Sequence, residues 1–388
     1  MPEIKDEFLT VEVTDWMDSI FDKLKTKVKQ EAVRLDDIIP YIPKDGKYRD
    51  IDIREGIYMW TNGFWPGILW QLFYVTGDCI YADTAKKIET RLDEALNGFE
   101  GLYHDVGFMF SLSAVADYRI TENRQSKIRG LHAATILAGR YNPNGEYIRA
   151  WNQPSWTKED VSGWVIIDSM MNLPLLYWAS LETGDSRFQD IAIRHANTIL
   201  RYGLREDGST NHIIVLNPKT GEFIDNPRGQ GYASGSSWSR GQAWALYGFA
   251  LSYRYTGKKE FLDASKRSAH YCIANLSLND WLPVVDFRSP EHFAKFDSTA
   301  GMAIAAGLLE LMEHVDEYEK ELYYKSAVKI LQSCESKFCN WKPEEDGIVT
   351  GGTVLYHSKE NANVPIIYGD YFLTEAVIRL KGKHILLW

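Results

Sequence analysis

Six positions along the chain put a polar side chain directly ahead of a strongly apolar, helix-forming run: Asn62, Asp105, Asp168, Arg240, Asp297 and Asp370. Four of them are aspartates, and two carboxylates brought close support a definite chemistry. Both cannot ionise cheaply, so one holds a proton near neutrality and acts as an acid while its neighbour stays charged. Glycosidases commonly work with such a pair. Helix N-termini present free N–H groups that favour anions, which suits a carboxylated ligand. That field also lowers the pKa of an aspartate placed there, and only a close partner reverses the effect. Helix capping by itself would put an aspartate at each of these positions. Residue types therefore narrow the catalyst to this set and no further.

The elements that must bring these side chains together are legible as helical hairpins. Tyr74-Val-Thr-Gly-Asp78 recurs as Leu181-Glu-Thr-Gly-Asp185 and as Tyr253-Arg-Tyr-Thr-Gly257. In each case the glycine ends an apolar helix and an amphipathic helix follows. The six apolar runs are hydrophobic nearly all round and rich in small residues, as a helix packed on every side should be. Between them the pattern predicts amphipathic helices at roughly Thr14–Ala32, Tyr81–Leu96, Glu122–Arg140, Ser186–Tyr202, Lys259–Asn275 and Glu317–Phe338. A single hairpin cannot bury its own apolar face, so repeated hairpins stack or close into a ring. The expected fold is all-α, an (α/α)6 barrel of six inner and six outer helices, with the inner N-termini converging on one end. Long loops, Tyr141–Ile167 and Glu206–Trp238, belong at that end. Within the second, His212 to Phe223 alternates like a short hairpin. With no linker or low-complexity stretch, residues 1–388 read as one catalytic domain.

Composition bounds the partners. A formal charge of −10 argues against nucleic acid and anionic membranes, while 13 Trp, 22 Tyr and 16 Phe exceed what a helical core needs and hint at a sugar-binding cleft. Met1 to Thr10 is polar and acidic, without the pattern of a secretory leader. Cys79, Cys272, Cys334 and Cys339 lack zinc-site spacing. A cytoplasmic protein with reduced thiols is expected, monomeric or homodimeric, without metal or organic cofactor.

From about Tyr58 to Leu380 the sequence resembles the unsaturated glucuronyl hydrolases of glycoside hydrolase family 88. The resemblance is carried by Trp60-Thr-Asn-Gly-Phe-Trp65, His104-Asp-Val-Gly-Phe108, Ile167-Asp-Ser-Met-Met-Asn-Leu-Pro174 and Gly235-Ser-Ser-Trp-Ser-Arg-Gly-Gln-Ala-Trp-Ala-Leu-Tyr-Gly248. Asp297-Ser-Thr-Ala300 and Gly369-Asp-Tyr371 add to these. It implies removal of a terminal 4,5-unsaturated uronic acid from a lyase-generated acidic oligosaccharide, by hydration of the C4=C5 double bond. Asp168 would protonate C4 and assist water at C5, and Asp105 would orient substrate and help set the pKa of Asp168. The same resemblance makes Trp60, Trp151, His212, Gln230, Arg240 and Trp244 substrate-binding candidates, with Tyr371 as a further one. Arg240 would hold a carboxylate or water, Trp244 would be a sugar platform, and His212 would hold water or a hydroxyl. Plain packing would equally account for Trp244, and pairing with a capping aspartate for Arg240.

The sequence departs from the family pattern at Asn62, where relatives often carry Asp. Lys295-Phe296 stands before Asp297 where Arg is common, and Tyr368 replaces a common Trp. The stretch Tyr356–Asn361 lacks a clear sulfate-reading pattern. Three rival readings stand beside this one. An unsaturated rhamnogalacturonyl hydrolase would do the same chemistry on pectin fragments. A non-catalytic helical-repeat carbohydrate-binding protein would keep a more regular period. A sugar epimerase on the same barrel would rely on paired histidines, and most of the nine His fall away from the expected mouth.

Overall fold

The computed structural model describes residues 10–51, 56–290 and 295–388. The polar N-terminal stretch lies outside it up to residue 9. Among the described residues, outer helices α1 (Val11–Leu35), α3 (Cys79–Gly98), α6 (Arg124–Ala138), α8 (Ser186–Tyr202), α10 (Lys259–Ser277) and α12 (Glu317–Phe338) alternate with inner ones. The inner helices are α2 (Phe64–Thr76), α7 (Leu173–Thr183), α9 (Ser239–Thr256), α11 (Ser298–Met312), α13 (Ile367–Leu380), and a sixth in two segments. This last one runs as α4 (Val106–Phe110), a π turn over Ser111–Val115, and α5 (Ala116–Thr121). Helix α13 packs against both α2 and α11, and α1 packs against α3 and α13, which closes the ring. The fold is the expected (α/α)6 barrel.

Local chemistry accounts for the hairpins. Gly77, Gly184 and Gly257 end α2, α7 and α9 with φ near +70°, a left-handed turn that only glycine adopts without strain. Asp78 and Asp185 then cap α3 and α8, accepting from the backbone N–H of Ile80 and Arg187. Inner helices bury nearly every residue; all of α11 and α13 is buried. None of the described helices is long and apolar enough to cross a membrane.

The long loops carry short antiparallel sheets: β1 (Tyr141–Asn142) with β2 (Tyr147–Ile148), β3 (Trp164–Ile166) with β4 (Ile213–Leu216) and β5 (Phe223–Asp225), and β6 (Gly352–Thr353) with β7 (Ala362–Val364). The hairpin expected after His212 is β4–β5. Its third strand, β3, is an addition that the sequence pattern did not announce. Register pairs Ile166 with Ile213, and the Ile167 N–H donates to the His212 carbonyl (3.0 Å). That pairing sets His212 beside Asp168.

Asp370 has a structural task. It lies within α13, where its carboxylate accepts N–H groups from Ile348 (3.0 Å) and Val349 (2.7 Å). Burial pushes it up to about 6 despite these bonds. Glu31 on α1 is pushed up to about 8, first by burial and then by the Asp370 charge. Both values lie above those of the unfolded chain, so the folded state holds these protons more tightly. The contribution to stability is present below the unfolded values and is lost as pH rises through about 6 to about 8. Thermal melts of Glu31→Gln across this window should show a flatter pH dependence than wild type and a higher Tm at the alkaline end.

Candidate active site

Contacts among the six inner N-termini form a circuit, closed between α7 and α9 by the packing of α9 on the Ile167–Met171 turn that precedes α7. The Trp60 ring, ahead of α2, meets Phe108 of α4 at 5.2 Å and Tyr368 of α13 at 5.0 Å. The Phe108 N–H donates to Asn172 Oδ1 at the start of α7 (2.8 Å). Arg240 at the start of α9 pairs with Asp297 ahead of α11, and its guanidinium lies over the Tyr368 ring (5.2 Å). The convergence expected from the hairpin pattern is present.

Within this circuit, capping does not explain the aspartates. Asp105 and Asp297 precede their helices without a side-chain capping bond. Asp168 sits in a 3-10 turn, Ile167–Met171, ahead of α7. Asn172, one turn beyond Asp168, links the catalytic candidates: its Nδ2 donates to Asp105 Oδ1 (2.9 Å) and to the Asp168 carbonyl (3.3 Å). Gly107 permits this approach, because a Cβ there would lie 2.5 Å from Asn172.

Each aspartate has its own imidazole. His104 Nε2 lies 3.3 Å from Asp105 Oδ1, and His212 Nε2 lies 3.4 Å from Asp168 Oδ2. These distances are long for hydrogen bonds, and Asp168 Oδ2, His212 Nε2 and both His104 nitrogens are buried without an ordinary partner. Unpaired buried polar atoms are costly and rare. Their concentration around two carboxylates marks a place built to meet a ligand. The Gln230 N–H donates to His212 Nδ1 (2.9 Å), so the neutral ring carries its proton on Nε2, facing Asp168. The ring also packs on Trp238 (4.5 Å).

Asp168 differs from expectation in one respect. Burial raises its pKa, but His212, with His104 and Arg240 behind it, outweighs burial and holds it below the ordinary carboxylate value. Proximity to Asp105 was expected to raise one member of the pair. In the free protein these neighbours decide the balance instead.

With this geometry in view, comparison with known proteins is decisive: the model of Glycosyl Hydrolase Family 88 matches residues 32–279. The chain belongs to glycoside hydrolase family 88. It is similar to the unsaturated glucuronyl hydrolase of Bacillus sp. (strain GL1), 35% identical over 327 residues that cover 83% of this chain and 86% of that protein. It is also similar to the unsaturated chondroitin disaccharide hydrolase of Streptococcus pyogenes serotype M1, 30% identical with 97% and 93% covered. A crystal structure of the unsaturated glucuronyl hydrolase "responsible for the degradation of glycosaminoglycan" from Bacillus sp. GL1 superposes with a TM-score of 0.87, at 31% identity and 93% and 97% coverage. This family 88 chain is therefore a glycosidase.

Other candidates divide by environment. Trp60 is half-buried at the mouth. Trp151, also half-buried, follows Ala150, whose carbonyl accepts the His104 N–H (3.2 Å), and it packs with Trp156 and Trp164. Gln230 holds His212 through its backbone, while its Nε2 donates to the Val354 carbonyl (2.7 Å). Asn62 is fully buried and donates to the Gly56 and Ile57 carbonyls.

Three roles need correction. Trp244 is fully buried among Phe108 and Phe372, so it packs the barrel rather than offering a platform to solvent. Tyr371 is fully buried against Phe64, Phe372 and Trp388. Arg240 is engaged by Asp297 and by the Thr353 and Val354 carbonyls, so it ties α9 and α11 to β6 instead of waiting for a carboxylate. Removing one partner of such a buried pair strands the other charge. Arg240→Met should thus cost about 3–5 kcal/mol in denaturant melts, and adding Asp297→Leu should restore part of that loss.

His104, Asn172 and Trp238 were missed as contributors, although each lies inside a motif singled out from the sequence. Asn172 carried a usable signal, four residues after Asp168 and so on the same face of a helical turn.

Proposed function

We propose that this family 88 enzyme releases the terminal 4,5-unsaturated uronic acid from glycosaminoglycan-type oligosaccharides by hydrating the C4=C5 double bond. The observation that carries the reading is the Asp105–Asn172–Asp168 linkage, with His212 facing Asp168. A vinyl ether needs one well-placed acid. Asp168 delivers a proton to C4, the cation forms at C5 beside the ring oxygen, and water adds at C5 with its proton returning to Asp168. The hemiketal then opens to a C5 ketone, and the hemiacetal left at C1 expels the leaving sugar. One carboxyl alternates between acid and base.

A carboxyl held low in the free site becomes an acid when the substrate arrives. The uronate brings a negative charge close to Asp168 and displaces water, and both effects push its pKa up. Converging helix N-termini favour that uronate. His212, fixed by the Gln230 N–H, holds the attacking water, and Asp105 orients the sugar. Trp60 and Trp151 offer their exposed faces to the pyranose rings. Names of the relatives, which include chondroitin disaccharide hydrolases, support a glycosaminoglycan substrate over a pectin fragment.

In this reading residues 1–388 act as one catalytic domain, without metal or organic cofactor, as a monomer or homodimer. Four free cysteines, two of them fully buried, suit a cytoplasmic location. The test is to mix the protein with an unsaturated chondroitin disaccharide and with an unsaturated rhamnogalacturonan disaccharide and follow loss of ultraviolet absorbance by the conjugated alkene. Turnover of the first and not the second is expected. The reverse preference, or no turnover of either, would overturn the proposal.

A further inference from the structure

The turn that carries Asp168 is flanked by two histidines, and the mechanism above uses only one. Behind the turn, α8 points Phe188, Ala192, His195, Ala196 and Ile199 inward. Among these apolar neighbours His195 is fully buried, as is Ser169 next to Asp168. The Ile148 N–H donates to His195 Nδ1 (2.8 Å). The proton of the neutral ring is therefore on Nε2, which lies 2.6 Å from Ser169 Oγ. The Ser169 hydroxyl in turn donates to the Ile166 carbonyl (2.6 Å), the last residue of β3. Burial pushes His195 down to about 3, so the ring stays neutral and keeps this donor pattern.

A leucine at this point of α8 would satisfy packing, whereas a buried imidazole is costly unless both nitrogens are bonded. Here both are bonded, and the chain of bonds ends on the turn that bears the acid. A fully satisfied buried network of this kind specifies one arrangement. We propose that His195 and Ser169 form a positioning relay that fixes the Ile167–Met171 turn so that Asp168 faces His212 during catalysis. His195 touches no solvent-accessible space and is a positioning residue, not a catalytic one. The relay rests on the proposed reaction only for its kinetic readout.

Besides His212, both His104 and Arg240 act on Asp168, and neither is hydrogen-bonded to Ser169 or His195. Loss of alignment then shows as a change in the Asp168–His212 pair alone. Ser169→Ala is expected to lower kcat about tenfold with KM unchanged. Because Asp168 loses the partner that holds it low while remaining buried, the alkaline limb of its rate profile should move to higher pH. His195→Leu should do the same. His195→Gln, which retains an N–H donor toward Ser169, should recover most of the rate.

A second readout needs no substrate: titration of the Asp168 carboxyl followed by 13C NMR should move upward in Ser169→Ala. Variants that melt earlier yet keep wild-type kcat per folded molecule, with an unmoved alkaline limb and an unmoved carboxyl titration, would overturn the relay. If wild type leaves the unsaturated disaccharide intact, the proposed function fails by itself. The carboxyl titration still decides the relay in that case.

Discussion

Replacing Asp168 with asparagine should lower turnover by about 10²–10⁴-fold while leaving the fold and substrate binding in place. Asparagine has the shape of the carboxyl but cannot deliver a proton to C4 or take one from water. The fold should tolerate it, because the Asp168 side chain makes no capping bond and Oδ2 has no ordinary hydrogen-bond partner. Its link to Asn172 runs through the backbone carbonyl, which the substitution leaves untouched. Calorimetry with the unsaturated disaccharide should give a Kd close to wild type, and circular dichroism an unchanged Tm. Near wild-type kcat in this variant would remove Asp168 from the role of acid.

A comparable loss is expected from a change that touches no reacting group. A Cβ on Gly229 would lie 1.8 Å from His212 Nδ1, far inside any tolerable contact. Gly229→Ala must therefore expel the imidazole from its place between the Gln230 N–H and Asp168. Turnover should fall about 10²-fold, the scale set by displacing a catalytic group by an ångström. Asp168 then stays buried but loses its strongest stabilising partner, so its pKa rises. Activity that needs the protonated carboxyl disappears as pH rises through that pKa, so the alkaline limb of kcat/KM should shift upward. Because both changes remove the same interaction, Gly229→Ala combined with His212→Ala should be no worse than His212→Ala alone. Additive losses would show that Gly229 acts through something other than His212.

The barrel was legible because helical periodicity and Thr-Gly turns are local. Helices α8 and α12 begin and end where the apolar pattern placed them. Asp105 and Asp168 were legible as positions, since each opens an inner helix, but their selection from six candidates came from family resemblance. What escaped was non-local. Strand β3 is a short apolar run whose partner lies in a distant loop, and nothing within Trp164–Ile166 distinguishes it from a helix start. The register it sets is nevertheless what brings His212 to Asp168. Of the nine histidines, the three that lie near the aspartates get there through contacts of the same non-local kind. His104 and His212 flank the aspartate pair, and His195, from an outer helix, backs the turn that carries Asp168. An imidazole among the mostly apolar residues of the inward stripe of α8 was its only signal. Trp244, Tyr371 and Arg240 failed in the opposite direction, because an inner-helix residue near a motif reads alike whether it faces the cleft or the core.

Carrying out the reaction in D2O and examining the released sugar by NMR at early times tests the proton delivery most directly. The account predicts one deuterium, stereospecifically at C4, with the oxygen from isotopically labelled water at C5, and no such product from Asp168→Asn. A product without deuterium at C4 and with the water oxygen at C1 would contradict it, since that pattern belongs to displacement at the anomeric carbon.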